Sequence, residues 1–173
     1  MILYYLLFAW GLIGLIAFFY LLKEPAPYGK HIKEDSKYFL GSKTGWILME
    51  SPAFYLMLLF FLIFGDYKNY AQIVLTFLFC LHYFNRSFIW PIRAQTNLKK
   101  MPLKIAISAF GFNVVNVFFQ GTWIFFLIDY EESWLLSIWF ILGLAVFFSG
   151  MVINIISDEI MMNLKKTSNG EYS

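Results

Sequence analysis

The chain of 173 residues is strongly apolar, with 60% hydrophobic and 22% aromatic residues against only 14% charged residues. A soluble domain of this length cannot bury so much apolar surface, because small globules leave a large share of their surface in water. The net charge of +2 gives no sign of a nucleic-acid partner, and the single cysteine, Cys80, excludes an intramolecular disulfide or a cysteine-based metal site.

Five apolar runs follow one another along the chain, each about the length that a helix needs to cross a bilayer. The first and the fourth runs contain no charged residue. The second contains the charged Glu50, and the fifth ends in the polar Asn154. The sequence therefore predicts an all-α transmembrane helical bundle. We expect one domain over 1–173, with a cytoplasmic segment at 157–173 and spans at about 1–22, 44–64, 70–90, 105–128 and 134–156.

Lysine and arginine are divided unevenly between the two sides that five crossings define. Most of them fall in the connections 23–43 and 93–104 or in the tail after Asp158, which share one side. The opposite side carries Lys68 close to several acidic residues. The positive-inside rule therefore predicts a cytoplasmic basic side and an exoplasmic N-terminus. We expect the endoplasmic reticulum membrane in a eukaryote and the inner membrane in a bacterium.

Polar side chains of several spans are expected in the same half of the membrane. Glu50, in a span that runs outward, lies about 9 Å from the cytoplasmic face at 1.5 Å per residue. Tyr83, in the span that returns, lies at a similar depth. Asn113, Asn116 and Gln120 have helical spacings of three and four, so they form one stripe. Because polar groups inside spans usually face the interior of a bundle or a wet cavity, we expect these groups to converge.

Most of these groups also have a purely structural interpretation. Arg86 can snorkel to the interface, and His82 and Tyr83 can be interfacial aromatics. The amide stripe can join helices through hydrogen bonds, and Asp158 can simply mark the end of the fifth helix. Both interpretations stay open for these residues.

Glu50 fits a purely structural role least well. A carboxylate at that depth is either protonated or paired with a cation, because an isolated charge is costly there. Pro52 removes a backbone donor two residues later and is expected to disturb the local helix. An acid at the depth of a tyrosine hydroxyl, here Tyr83, forms a pair suited to donating protons.

Five motifs carry a resemblance to a known family. In chain order they are PYGKH (27–31), WILMESPAF (46–54), HYFNRSFIWP (82–91), NVFFQG (116–121) and GMVINIISD (150–158). Together they resemble the successive signatures of steroid 5-alpha-reductases, in the order and at close to the spacing of that family. The family is longer, with two more spans, so the resemblance implies that this chain is the N-terminal two-thirds of such an enzyme and is inactive alone.

The resemblance implies reduction of the 4,5 double bond of a 3-oxo-4-ene steroid by NADPH. Hydride goes to C5 and a proton to C4, while the C3 oxygen gains negative charge. Glu50 and Tyr83 match the family's pair that hydrogen-bonds this oxygen, which is a role for a neutral acid and a phenol. The expected cofactor contacts are Arg86, Arg93, Asn154 and Asp158, and the expected steroid contacts are Trp46, Phe112, Asn116 and Gln120.

Two departures from the family's pattern stand beside these expectations. Met49 occupies the position where many relatives carry Gln just before the catalytic acid. Met162 and Lys165 follow the last motif where relatives often carry Arg, so the contacts to the cofactor phosphates are expected to be rearranged. Because Met49 replaces that Gln, the substrate preference is expected to differ from that of the relatives.

Two other functions remain as alternatives. One is a related membrane reductase that acts on a polyprenol or on an enoyl thioester lipid through a similar cavity. The other is a non-enzymatic bundle such as a small transporter, although the internal repeat that many transporters show is absent from this sequence. The partners expected of the enzyme are a steroid or related lipid enone and the membrane lipids.

Overall fold

The computed structural model describes residues 2–27, 31–32, 37–94 and 99–167. Five long helices make up most of these residues. All five are long and apolar enough to cross a membrane, and each overlaps one of the predicted spans. The predicted all-α polytopic bundle is therefore confirmed, and the helices are consistent with an integral membrane protein. Their bounds are α1, Ile2–Lys23; α2, Ser42–Phe64; α3, Tyr70–Arg93; α4, Leu103–Leu127; and α5, Ile138–Thr167.

The centre of the bundle is the contact between α2 and α4. Ala53 and Met57 of α2 pack against Val117 of α4, and partly buried aromatic residues of α2 and α3 surround them. Gly121 lets the two helices approach closely, because a Cβ at this position would lie 2.5 Å from the ring of Phe60. Small residues at such crossings are typical of membrane helices, which gain contact energy rather than hydrophobic energy by packing.

A short antiparallel ribbon ties together the chain before α2 and the chain before α4. Its strands are β1, Phe39–Gly41, and β2, Lys100–Pro102, with Leu40 opposite Met101. Met101 is fully buried against Gly45. A Cβ added at Gly45 would lie 2.6 Å from the sulfur atom of Met101. The ribbon places two of the basic connections at one end of the bundle, here called the sheet end.

The opposite end is held by polar contacts between loops. The Asn69 side chain accepts from the backbone N–H of Gln72 at 3.1 Å and so caps α3. Gln72 in turn accepts from the backbone N–H of Asp66 at 2.9 Å. The Asn69 amide also reaches the carbonyl of Tyr130 at 3.5 Å, which joins the α2–α3 loop to the α4–α5 loop. The helices α2 to α5 thus alternate in direction, as the prediction of successive crossings requires.

The outer helices α1 and α5 contribute little to the buried core. Among the described residues neither has a buried residue in its membrane-spanning window. Trp10 of α1 stacks on Phe112 of α4 with ring centroids 5.8 Å apart. The many exposed apolar side chains on both helices suit a surface that faces lipid.

The fifth helix differs from its predicted bounds at both ends. Residues from Glu132 to Leu136 form a 3₁₀ turn, and α5 begins only at Ile138 because the Ser137 hydroxyl accepts from the N–H of Phe140 at 3.2 Å. The helix then continues to Thr167, since no glycine or proline interrupts the sequence after Asp158 before Gly170. The interpretation of Asp158 as a helix end is therefore wrong.

Two prolines affect their helices differently. Pro52 lies buried inside α2, which continues without a break from Ser42 to Phe64, so the disturbance expected there does not interrupt the helix. In α3, the segment Asn85–Ile89 widens into a π-helical turn just before Pro91. Such turns are frequent at functional sites, and this one carries Arg86.

Candidate functional site

Glu50 is held by a buried amide of the neighbouring helix. The side-chain nitrogen of Asn113 in α4 donates to the backbone carbonyl of Met49 at 2.7 Å and to Oε2 of Glu50 at 3.3 Å. Asn113 is only 5% exposed, and the Glu50 side chain is 15% exposed. The carboxyl group is thus tied to a fixed donor inside the bundle.

Tyr83 has a matching contact one helical turn further along α4. The side-chain amide of Asn116 donates to the phenol oxygen of Tyr83 at 3.2 Å. The phenol ring packs on Phe79 at 4.6 Å and edge-on against His82 at 5.2 Å, and these contacts limit its movement. Because the phenol oxygen accepts this bond, its own hydrogen is left to be donated elsewhere.

Arg86 contacts acidic side chains of two other helices. One of its terminal nitrogens lies 3.8 Å from Oε1 of Glu50, and the other donates to Oδ2 of Asp158 in α5 at 3.4 Å. Arg86 also follows Tyr83 by three residues in α3, so the two side chains lie about one turn apart. Groups from α2, α3, α4 and α5 therefore form one polar cluster, which we call the acid cluster: Glu50, Tyr83, Arg86, Asn113, Asn116 and Asp158.

Two indole rings support the guanidinium. The Cζ atom of Arg86 lies 5.3 Å from the ring centroids of both Trp46 and Trp90, which is within the range of cation–π contacts. The two tryptophans also contact each other, with centroids 4.3 Å apart. Arg86 is therefore held inside the bundle. Snorkelling of its side chain to the interface does not account for these contacts.

The charges of the acid cluster are unequal. Glu50 and Asp158 share the one guanidinium of Arg86, and the three side chains are between 13% and 18% exposed. With both acids ionised the cluster would carry one net negative charge in a partly dehydrated place. Because such a charge is costly, the cluster is suited to taking up and giving back one proton.

Further polar groups lie beside the acid cluster towards the sheet end. Arg93, at the end of α3, forms an ion pair with Glu159 of α5. The hydroxyl of Ser87 and the indole nitrogen of Trp90 are buried, and neither has a hydrogen-bond partner within the described part of the chain. Buried donors of this kind usually bond water or a ligand.

The structure brings together most of the site residues predicted from the sequence, and separates others. Trp46 lies with the acid cluster through its contact with Arg86, and Asn154 lies half-buried on α5, one turn before Asp158. Phe112 is 53% exposed and faces α1 through Trp10, and Gln120 is exposed. The predicted amide stripe therefore divides, with only its first two members in the cluster.

Asn113 and Trp90 were not among the residues that the sequence marked as site candidates. Asn113 was recognised only as part of the amide stripe, although its spacing of three from Asn116 places it on the same helical face. Trp90 lies in the motif HYFNRSFIWP, four residues after Arg86, and that spacing brings its ring under the guanidinium. The spacing from neighbouring predicted residues was the available signal in both cases.

Comparison with known proteins gives a consistent result. The family profile described as "3-oxo-5-alpha-steroid 4-dehydrogenase" matches residues 99–173. The "Steroid 5-alpha-reductase DET2" of Solanum lycopersicum is 34% identical to this chain over 84% of the chain and 58% of that protein. The protein of the same name from Arabidopsis thaliana is 35% identical over 85% of the chain and 58% of its own length.

A human relative extends the match. The "3-oxo-5-alpha-steroid 4-dehydrogenase 2" of Homo sapiens is 30% identical over 93% of this chain and 64% of that protein. The resemblance inferred from the five motifs is therefore confirmed over most of the chain. The chain spans about 58% to 64% of the length of these relatives.

Proposed function

We propose that this chain, a homologue of the 3-oxo-5-alpha-steroid 4-dehydrogenases, carries the carbonyl-polarising site of a membrane oxidoreductase that saturates the 4,5 double bond of 3-oxo-4-ene steroids. The names of its relatives support the class of reaction. The observation that carries the proposal is the acid cluster, in which Glu50 and Tyr83 come from different helices, each bonds an amide of the same face of α4, and Arg86 lies beside Glu50.

The proposed mechanism requires negative charge to develop on the C3 oxygen of the enone. Tyr83 donates a hydrogen bond to this oxygen through its free phenol hydrogen. Glu50 donates a second hydrogen bond through the proton of its neutral carboxyl group. Donors that are already in place need no rearrangement when the charge appears, which is why such sites lower the barrier. The limited exposure of both side chains strengthens these bonds, because little water competes for them.

Arg86 adds a positive charge close to the same position. Its guanidinium lies 3.8 Å from Oε1 of Glu50 and is held by two indole rings. A cation here favours an anionic oxygen nearby, and Asp158 keeps the cation from forming a close ion pair with Glu50 alone. Arg86 thus supports the two donors without supplying a proton itself.

The residues beside the acid cluster fit a dinucleotide such as NADPH. Asp158 and Asn154 offer the carboxylate and amide groups that bond sugar hydroxyls and a carboxamide, and Arg93 offers a half-exposed guanidinium for a phosphate. The buried hydroxyl of Ser87 and indole N–H of Trp90 are further donors without a described partner. When bound, NADPH supplies the hydride that the enone accepts at C5, and a proton then reaches C4.

The apolar part of the substrate would lie against aromatic side chains. Trp46 stands beside Arg86 at the edge of the acid cluster, where it can cover the steroid ring that carries the carbonyl. Phe112 and Gln120 lie on exposed parts of α4, so their contact with a steroid requires an approach between α4 and a neighbouring helix such as α1. Entry from the lipid phase suits a substrate of this solubility.

The proposed orientation follows the distribution of lysine and arginine. The sheet end carries the basic connections, and we place it on the cytoplasmic side, where NADPH is available. The N-terminus is then exoplasmic, and the membrane is the endoplasmic reticulum in a eukaryote or the inner membrane in a bacterium.

A substrate panel tests the proposed function. The complete enzyme that contains this chain, purified in lipid nanodiscs, is given NADPH and one of three acceptors: a 3-oxo-4-ene steroid, a polyprenol enone or an enoyl thioester. We expect NADPH oxidation that depends on the steroid and yields the 5-alpha-reduced ketone. Oxidation with one of the other acceptors alone would identify a related reductase instead, and the absence of oxidation with all three would contradict the proposed class of reaction.

A further inference from the structure

The two amides of α4 make equivalent contacts with the two proposed donors. Asn113 bonds Glu50 and Asn116 bonds Tyr83, in each case from the side-chain nitrogen to an oxygen of the partner. We propose that Asn113 and Asn116 are positioning residues, which occupy one acceptor site on each donor so that both protons point to one common acceptor. The identity of that acceptor as a carbonyl oxygen rests on the proposed function, whereas the positioning itself does not.

Asn113 fixes the position of the Glu50 carboxyl group. Its amide nitrogen has two hydrogens, and the short bond to the carbonyl of Met49 uses one of them and fixes the plane of the amide. The second hydrogen points to Oε2 of Glu50. This bond occupies one acceptor position of Oε2, while Oε1 lies 3.8 Å from Arg86, so the carboxyl group is held between two donors.

Asn116 has the same effect on Tyr83. A phenol has one hydrogen to donate, and its oxygen can also accept. The bond from Asn116 uses an acceptor position, so the phenol hydrogen cannot be spent on Asn116 and is available to another group. A carboxylate or a carbonyl at the place of Asn116 would instead take that hydrogen.

The spacing of the two amides suits a shared acceptor. Three residues of helix separate Asn113 from Asn116, a rise of about 4.5 Å along α4. Glu50 and Tyr83 are therefore contacted from one face of α4, one turn apart. Asn113 is buried, so it cannot easily turn to other partners.

A role as simple glue between helices explains these bonds less well. An amide that only joins two segments can bond a backbone carbonyl, as Asn69 does with that of Tyr130 at the opposite end. Asn113 and Asn116 each end on an ionisable side chain, and both of those side chains belong to the acid cluster. The contact with the Met49 carbonyl anchors Asn113 to α2. It thereby helps to position Glu50, the residue after Met49.

Infrared difference spectroscopy of the protein without substrate tests the positioning directly. The bands of the two donors are assigned from their loss in Glu50→Gln and Tyr83→Phe. We expect Asn113→Leu to shift the Glu50 band and leave the Tyr83 band unchanged, and Asn116→Leu to do the reverse. Thr122→Val is the matched control, because it removes a hydroxyl of α4 that bonds only the Phe118 carbonyl, at 2.6 Å, and both bands should stay in place.

A second measurement follows the bound substrate. The carbonyl stretch of a bound 3-oxo-4-ene steroid should fall less in the two leucine variants than in the original protein. Turnover should drop roughly tenfold to a hundredfold while KM changes little, because misdirected donors affect the transition state more than binding. Asn113→Gln and Asn116→Gln keep a donor on a longer arm and should recover part of the loss, and they serve if a leucine variant does not fold.

The two proposals fail in different ways. If the original protein reduces no enone but the leucine variants still shift the donor bands, the proposed function is wrong and the positioning stands. If the protein reduces the steroid and the folded leucine or glutamine variants keep unchanged bands and full turnover, the positioning is wrong.

Discussion

Arg86 of α3 donates a hydrogen bond to Asp158 of α5 across 3.4 Å. This contact matters for the whole bundle because α5 has no buried residue in its membrane-spanning window within the described part of the chain. The helix that carries the proposed cofactor residues, α5, is thus tied to the acid cluster by polar groups. A second described ion pair between α3 and α5 joins Arg93 to Glu159.

Asp158→Asn should weaken both this tie and the binding of NADPH. The amide keeps the size of the side chain but loses the charge that pairs with Arg86, and hydrogen bonds to charged groups contribute about 1.5–3 kcal/mol. We therefore expect the Kd for NADPH to rise roughly tenfold to a hundredfold, together with a lower midpoint of thermal unfolding in detergent. Titration of NADPH by intrinsic fluorescence measures the first effect.

Glu159→Gln is the matched control for that change. Its partner Arg93 is 49% exposed and Glu159 is 37% exposed, and exposed ion pairs contribute little to stability. The unfolding midpoint should stay close to that of the original protein. An effect of Glu159→Gln as large as that of Asp158→Asn would show that the position of the acid on α5, rather than the contact with Arg86, determines the result.

Gly121→Ala should destabilise the contact between α2 and α4. The new Cβ would lie 2.5 Å from the ring of Phe60, and that ring is itself packed against Phe64 and Phe125. Overpacking of this kind costs about 1–3 kcal/mol. A fall in the midpoint of thermal unfolding in detergent is the expected result.

Gly111→Ala provides the comparison on the same helix. No other described residue lies within 4 Å of a Cβ at Gly111, so the substitution should be neutral or slightly stabilising through the better helix propensity of alanine. Equal effects of Gly111→Ala and Gly121→Ala would mean that α2 and α4 do not pack closely at Gly121.

Single cysteines should report opposite sides of the membrane. In a background with Cys80→Ala, a cysteine at Lys100 lies in the ribbon at the sheet end, and one at Lys68 lies in the loop at the other end; both positions are exposed. We expect an impermeant maleimide to label Lys68→Cys from outside intact cells or from the lumen of sealed vesicles. Lys100→Cys should react only from the cytoplasmic side, and labelling in the opposite sense would reverse the proposed orientation.

The five helices could be predicted from the sequence because runs of apolar residues report the bilayer directly. The convergence of Glu50 and Tyr83 could also be predicted, since counting residues along α2 and α3 places them at similar levels of two neighbouring helices. The structure brings these two residues into one cluster, as expected from that count.

The rotation of each helix about its own axis could not be predicted. Gln120 shares the stripe of Asn113 and Asn116 on an ideal helix, yet it is exposed, while the next residue, Gly121, packs against Phe60 of α2. The pairing of Phe112 with Trp10 depends equally on where α1 packs. The π-helical turn at Asn85–Ile89 and the ribbon beside α2 likewise depend on contacts between distant segments.

The turnover of Glu50→Gln, Tyr83→Phe and the double variant, each made in the complete enzyme and supplied with a 3-oxo-4-ene steroid and NADPH, tests the central proposal most directly. Each single change should lower kcat roughly a hundredfold to a thousandfold, about 3–4 kcal/mol, because each removes one donor to the developing charge. The double variant should lose less than the sum of the two effects, since both donors serve one oxygen. Turnover of Glu50→Gln close to that of the original protein, or strict additivity of the two losses, would contradict a shared role at the carbonyl.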